Sequence, residues 1–168
     1  MIAEAIVTEF DHEMATTRKH LERVPEDKKD WQPHEKSMPL GMLAIHLADM
    51  PVWGSMTMKH SELDMGPEGG SGYTPPVFTT TAAALALFDE NVNAARAALA
   101  AGSDSDYAAN WALKVGPQVI IAMPRIQVIR TWVMNHMIHH RGQLSVYLRL
   151  NGVPVPGTYG PSADETGM

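Results

Sequence analysis

Cysteine is missing from this 168-residue chain, which excludes disulfides and thiolate metal ligands. With no disulfide framework to demand an oxidising compartment, the expected location is cytoplasmic. Basic runs are missing as well. The 13 Lys and Arg are outnumbered by 19 Asp and Glu, giving a net charge of −6, and this argues against nucleic acid as a partner. No stretch approaches the roughly 18 consecutive apolar residues of a membrane span, so no membrane partner is expected either. The segment Met1 to Phe10 carries acids and lacks the basic n-region and long apolar h-region of a signal peptide. A G-x-S-x-G elbow, a P-loop, a Rossmann glycine motif and internal repeats are all absent.

What remains is an ordinary globular composition, 45% hydrophobic and 19% charged, at a length that suits one domain spanning 1–168. Apolar residues at helical spacing, separated by breakers, predict four helices near 3–24, 39–60, 80–101 and 124–151. Ile6, Phe10, Met14, Thr17 and Leu21 form the stripe of the first. Leu43, His46, Leu47, Met50 and Trp53 form that of the second, which Pro39 opens and Pro51 kinks. Gly66 to Pro76 reads as a loop. One of Thr79, Thr80 and Thr81 caps an alanine-rich third helix through Phe88, Val92 and Leu99. Residues 103–123, around Gly116-Pro117, read as a short hairpin or an extended connection. The fourth helix opens at Pro124 and stops at Asn151-Gly152, before a Pro/Gly-rich tail. The expected fold class is all-α, a four-helix bundle with a long crossover connection, a scaffold that builds metal sites between facing helices.

The most informative feature lies in the fourth helix. His136 and His140 stand four residues apart, so they share one helical face. Ile129, Trp132, Val133, Leu144 and Tyr147 fall on or near that face, which directs the two imidazoles toward a core where an unpaired ring is costly. His46 points inward from the second helix. Three inward histidines on two helices point to a metal site. His139 lies at the edge of the stripe and is not expected to be a ligand. His12 faces away from its stripe, and His20, His34 and His60, at helix ends or in linkers, read as surface residues.

Other metal chemistries fail on residue type. A ferritin-like centre needs Glu-x-x-His on two helices plus further glutamates, and only Glu9-x-x-His12 fits. A zincin needs His-Glu-x-x-His, but position 137 is methionine. Met50, Met56 and Met58 read as adaptable packing. Near the site, Asp49 is the best carboxylate for orienting a ligand or transferring a proton, and Gln143, one turn after His140, can orient a ligand or line the pocket. Arg141 is expected to bond a carboxylate or the C-terminal tail. Met50, Trp53, Trp132 and Tyr147 should make the surroundings largely apolar, with Trp111 as core or pocket wall.

Taken together, Trp31-x-Pro33, Ser37-Met38-x-Leu40-Gly41-x-Leu43-x-x-His46-x-Ala48, His136-x-x-x-His140-Arg-Gly-Gln143 and Gly152-x-Pro154-x-Pro156-x-x-Tyr159-Gly160-Pro161-Ser162 resemble the DinB family of damage-inducible proteins and the related YfiT-like metal-dependent hydrolases. The resemblance runs over essentially the whole chain. It implies a bundle, often dimeric, holding a divalent ion on His46, His136 and His140. Some relatives are thiol-dependent transferases or isomerases. The expectation for this chain is therefore a metal-dependent enzyme of the thiol S-transferase type, with a low-molecular-weight thiol and a small-molecule substrate as partners. The alternatives are a hydrolase using a metal-bound hydroxide and a non-catalytic, stress-related metal-binding protein. Zinc or nickel is the expected ion, with iron or manganese also suited to imidazole. A homodimer is expected from the resemblance and from the close packing an alanine-rich helix allows.

Overall fold

In the computed structural model, which describes residues 1–66 and 73–165, long helices follow the apolar stripes of the sequence. Helix α1 spans Ile2–Leu21 and buries Ile6, Phe10, Met14, Thr17 and Leu21. It ends three residues before the predicted limit, where Arg23 and Val24 bond back to His20 and Leu21 in a tight last turn ahead of Pro25. The second predicted helix is broken in two, α2 at Leu40–Asp49 and α3 at Val52–Lys59. Pro51 is the cause. Lacking an N–H, it cannot continue the ladder, and it starts a new turn in which Gly54 N–H donates to the Pro51 carbonyl at 2.9 Å.

The start of α2 is anchored by backbone rather than by a capping side chain. Leu40 and Gly41 donate their free N–H groups to the carbonyls of Trp31 and Lys29, both at 2.8 Å. A side chain at Gly41 would press within 3.0 Å of Lys29 Cβ, so the close approach requires glycine. Helix α4 spans Thr81–Ala101. Of the three candidate threonines, Thr80 caps it, accepting from Ala83 N–H at 3.1 Å. It buries Ala84, Phe88, Ala95 and Leu99 and leaves Ala82, Ala83, Ala86, Ala94 and Ala97 exposed.

The last helix runs from α6 (Arg125–Val128) through a wider π-type stretch (Ile129–Asn135) into α7 (His136–Leu150). Sequence periodicity reads straight through that stretch and does not reveal it. Gly152, at φ +71, turns the chain after α7. In the bundle, α1 packs on α4 and α7, and α2 likewise packs on α4 and α7. The connections 22–39 and 102–124 therefore both lead to a helix on the opposite corner.

The all-α expectation needs correction. A three-stranded sheet lies at one end of the bundle, in the order β1 (Glu62–Asp64), β2 (Asn110–Val115), β3 (Gln118–Pro124). The hairpin reading of 103–123 is the right one of its two alternatives, preceded by the short helix α5 (Asp104–Ala108). Its turn places Gly116 at φ +57, a conformation glycine adopts freely. What the sequence did not show is β1, which pairs parallel with β2, with Glu62 opposite Ala112. Three residues carry no readable alternation, and their pairing is set by long-range contact. Of the predicted loop at 66–76, residues 67–72 lie outside the described residues, as do 166–168 of the tail.

Candidate metal centre

Because α2 and α7 are neighbours in the bundle, His46 meets the pair on the last helix. Its ring centroid lies 5.4 Å from that of His136 and 4.8 Å from that of His140, while His136 and His140 are 4.6 Å apart. One nitrogen from each ring falls within 4.8 Å of the others. The π-type stretch ends immediately before His136, so the widened turns set the angle at which the pair enters the site.

The hydrogen bonds select which nitrogens face one another. His140 Nδ1 bonds Gln143 Oε1 at 2.7 Å, which calls for a protonated Nδ1 there, and the His136 ring lies against the Trp132 carbonyl one turn back. The two Nε2 atoms then face each other at 2.8 Å, an arrangement that a shared proton or a shared cation relieves. With the Gln143 amide reversed, His140 Nε2–H would instead donate to His136, so the amide orientation separates a cation-binding arrangement from a self-bonded one.

Burial keeps the rings neutral, the form in which imidazole ligates. His46 is lowered to about 4 by burial first and then by the charges His140 and His136 would carry. His136 and His140 are also lowered, again chiefly by burial. Three neutral imidazoles with converging nitrogens are a donor set suited to a divalent transition metal.

Two cavities open beside the histidines and share His46, Met50 and Trp53 in their walls. The first, about 150 Å³, is completed by His136, Trp111, Trp132 and the hairpin residues Leu113 and Ile121. The second, about 220 Å³, contains Asp49 and Tyr73. Asp49 is buried and accepts a hydrogen bond from the Tyr73 hydroxyl, and burial pushes its carboxyl up to about 6.

The expected surroundings hold in part. Met50, Trp53 and Trp132 line the first cavity, although Trp132 is 46% exposed and belongs to the rim rather than the core. Tyr147 does not reach it. That ring packs edge-on against Trp31 at 5.4 Å, because it stands nearly two turns beyond His140. His139 is exposed and meets His140 edge-on with ring centroids 5.1 Å apart, outside the converging set. His12, His34 and His60 are exposed as expected, but His20 is fully buried, with Nδ1 bonded to the Thr16 carbonyl at 2.9 Å. The tail segment carrying Glu165 folds back beside it, and this cover has no signal at position 20 itself. Arg141 meets both of its expected partners, the Glu13 carboxylate at 2.7 Å and the tail residue Tyr159 at 2.8 Å. Tyr73, Leu113 and Ile121 escaped sequence reading because they reach the cavities only through a loop and a hairpin whose placement is a long-range matter.

Comparison with known proteins gives a consistent result. Residues 71–167, more than half of the chain, match the model of the DinB family. A DinB-like protein from Bacillus cereus superposes with a TM-score of 0.71 at 25% identity, covering 95% of this chain and all of that one. A DinB-like protein from Bacillus subtilis gives 0.66 at 19% identity, covering 97% and 99% of the two chains. A candidate DinB member from Exiguobacterium sibiricum gives 0.66 at 16%, covering 96% and 95%. At the last two identities the likeness shows the fold alone. The Bacillus subtilis protein YrdA, itself uncharacterised, is 47% identical over 34 residues, a match that spans 20% of each chain.

Proposed function

Since the chain belongs to the DinB family, we propose that His46, His136 and His140 together hold one divalent ion, zinc or nickel, in a metal-dependent enzyme that joins a low-molecular-weight thiol to a small electrophile. The observation that carries the reading is the convergence of the three rings, one nitrogen of each lying within 4.8 Å of the others, with the far nitrogen of His140 held by Gln143. When bound, the ion supplies a Lewis acid that lowers the pKa of a thiol or water held beside it.

The chain's own groups do the rest. Gln143 and the Trp132 carbonyl fix the rings so that lone pairs converge. Asp49, in the cavity it shares with His46, is placed to take up the proton a thiol gives up, and its carboxyl at about 6 can hold and release that proton near neutrality. The apolar walls of the other cavity exclude water that would compete with the thiol. The absence of cysteine supports an external thiol, because the chain has no sulfur nucleophile of its own.

The test has two arms. Metal content is measured after chelation and reloading for His46→Ala, His136→Ala, His140→Ala and His139→Ala. The first three should lose the ion, and His139→Ala should keep it. Gln143→Leu should bind it about 10-fold or more weakly. Full metal in His46→Ala together with loss in His139→Ala would show that the third ligand is wrong. In the second arm, loaded protein is given a low-molecular-weight thiol and a haloaromatic electrophile, and halide release is followed. Ester hydrolysis without thiol consumption would favour the hydrolase, and no turnover of either would favour a binding protein.

A further inference from the structure

The C-terminal tail is anchored at two places along one face of α1. Tyr159 stacks on His12 with ring centroids 6.1 Å apart and donates to Glu13 at 2.9 Å. Just past the other end of the helix, Arg23 donates to the Pro154 carbonyl at 3.0 Å and pairs with Glu165. Positions 12, 16, 20 and 23 follow at steps of three and four, so they share that face. Between the two anchors Thr16 and His20 are buried, His20 completely. The tail is also tied within itself. Val155 and Gly157 donate their N–H groups to Asp164 and Glu165, both at 2.8 Å, and Arg149 of α7 holds Asp164.

Beneath this cover the His20 ring is half satisfied. Nδ1 bonds the Thr16 carbonyl at 2.9 Å, which calls for a proton on Nδ1, and Nε2 is buried with no partner. The charged groups that face it are Arg141 from α7, Arg23 beyond α1 and Glu165 from the tail. All are engaged, Arg141 by Glu13, and Arg23 and Glu165 by each other. Asp89 of α4 is taken up by Arg18 on another side of α1. A second proton on the ring would therefore sit at Nε2 with no acceptor. Burial first, and the two guanidinium groups after it, already hold the ring below its ordinary 6.5.

From this arrangement we infer that the tail, residues 153–165, is an acid-released strap, closing over a neutral His20 and detaching when the ring takes a second proton and must be reached by water. In the open form the ring returns to its ordinary 6.5, and in the closed form it lies lower. Closure is therefore complete above pH 6.5 and weakens as pH falls below that value. Asp164 and Glu165 are held low, by Arg149 and by the Gly157 N–H respectively, so their protonation belongs to a more acidic window. Release would take Tyr159 away from Glu13 and Arg141, beside His140. None of this requires an ion at the three histidines.

Hydrogen exchange of the segment 153–165, corrected for the intrinsic pH dependence of exchange, is compared at pH 7.5 and 5.0. In the parent protein protection should fall about 10-fold at the lower pH. His20→Phe keeps a ring without a titratable nitrogen and should hold the change within about twofold. His20→Asn, whose amide can still donate to Thr16, gives the same reading if the first variant does not fold. His46, His136 and His140 are present in the parent and in both variants, so their titration cancels in the comparison. Glu165→Gln should lower protection by a similar factor at both pH values. An equal fall in the parent and the His20 variants, or no fall in the parent, overturns the inference. So does a His20 ring that titrates at 6.5 by NMR while the strap stays protected.

Discussion

Asp49 shows how the surroundings of one side chain set its chemistry. Burial raises its carboxyl from 3.8 to about 6, and the Tyr73 hydroxyl donates a hydrogen bond to it. Between pH 4 and 6 the folded chain holds this proton more firmly than the unfolded chain does, so its contribution to stability falls as pH rises through that window. Above pH 6 the folded protein carries the full cost of a buried carboxylate, up to about 3 kcal/mol. Asp49→Asn should therefore raise the melting temperature of metal-free protein at pH 7.5, with the gain disappearing by pH 4. A gain equal at both pH values, measured by thermal unfolding, would mean that packing rather than charge is responsible. Sequence reading could place Asp49 near His46 from their one-turn spacing, but not its partner. Tyr73 comes from a segment with no periodic link to α2. The same limit explains His20, where helix position alone suggested a surface and the folded-back tail supplied a cover.

Among the elements, the last helix carries both the site and its own brace. Arg141 follows His140 directly and forms a buried ion pair with Glu13 of α1, the side chains being 2% and 6% exposed. Arg141 also donates to Tyr159, whose hydroxyl in turn donates to Glu13 at 2.9 Å. Removing one member of such a pair strands a buried charge, so Glu13→Ala should lower stability by about 3–5 kcal/mol in denaturant titration. Tyr159→Phe, which leaves the ion pair intact, should cost about 1 kcal/mol. If Glu13→Ala cost no more than Tyr159→Phe, the pair would not be bracing α7. The long helices were legible because burying one stripe of each dictates its period, and Pro51 was legible because a missing N–H acts locally. The π-type stretch at Ile129–Asn135 and the strand Glu62–Asp64 were not, since packing against other elements decides them.

For the molecule as a whole, the three histidines join α2 to α7, elements separated by some ninety residues of chain and by the connection that carries the hairpin. An ion held between them binds the folded chain and has no assembled site in the unfolded one, so its binding adds directly to global stability. At a free ion concentration 100 times the dissociation constant, the gain is about 2.7 kcal/mol. For a chain of this size that corresponds to a rise in melting temperature of roughly 5–11 °C on loading and an equal fall on chelation. The shift should vanish in His136→Ala, where two imidazoles remain, and persist in His139→Ala, whose ring lies outside the converging set. It should grow with the logarithm of metal concentration once the site is saturated. A shift of the same size in His136→Ala would place the stabilising ion elsewhere on the surface. Absence of any shift in the parent protein, with metal shown to be bound, would mean that the ion is held by one helix alone and does not join the two.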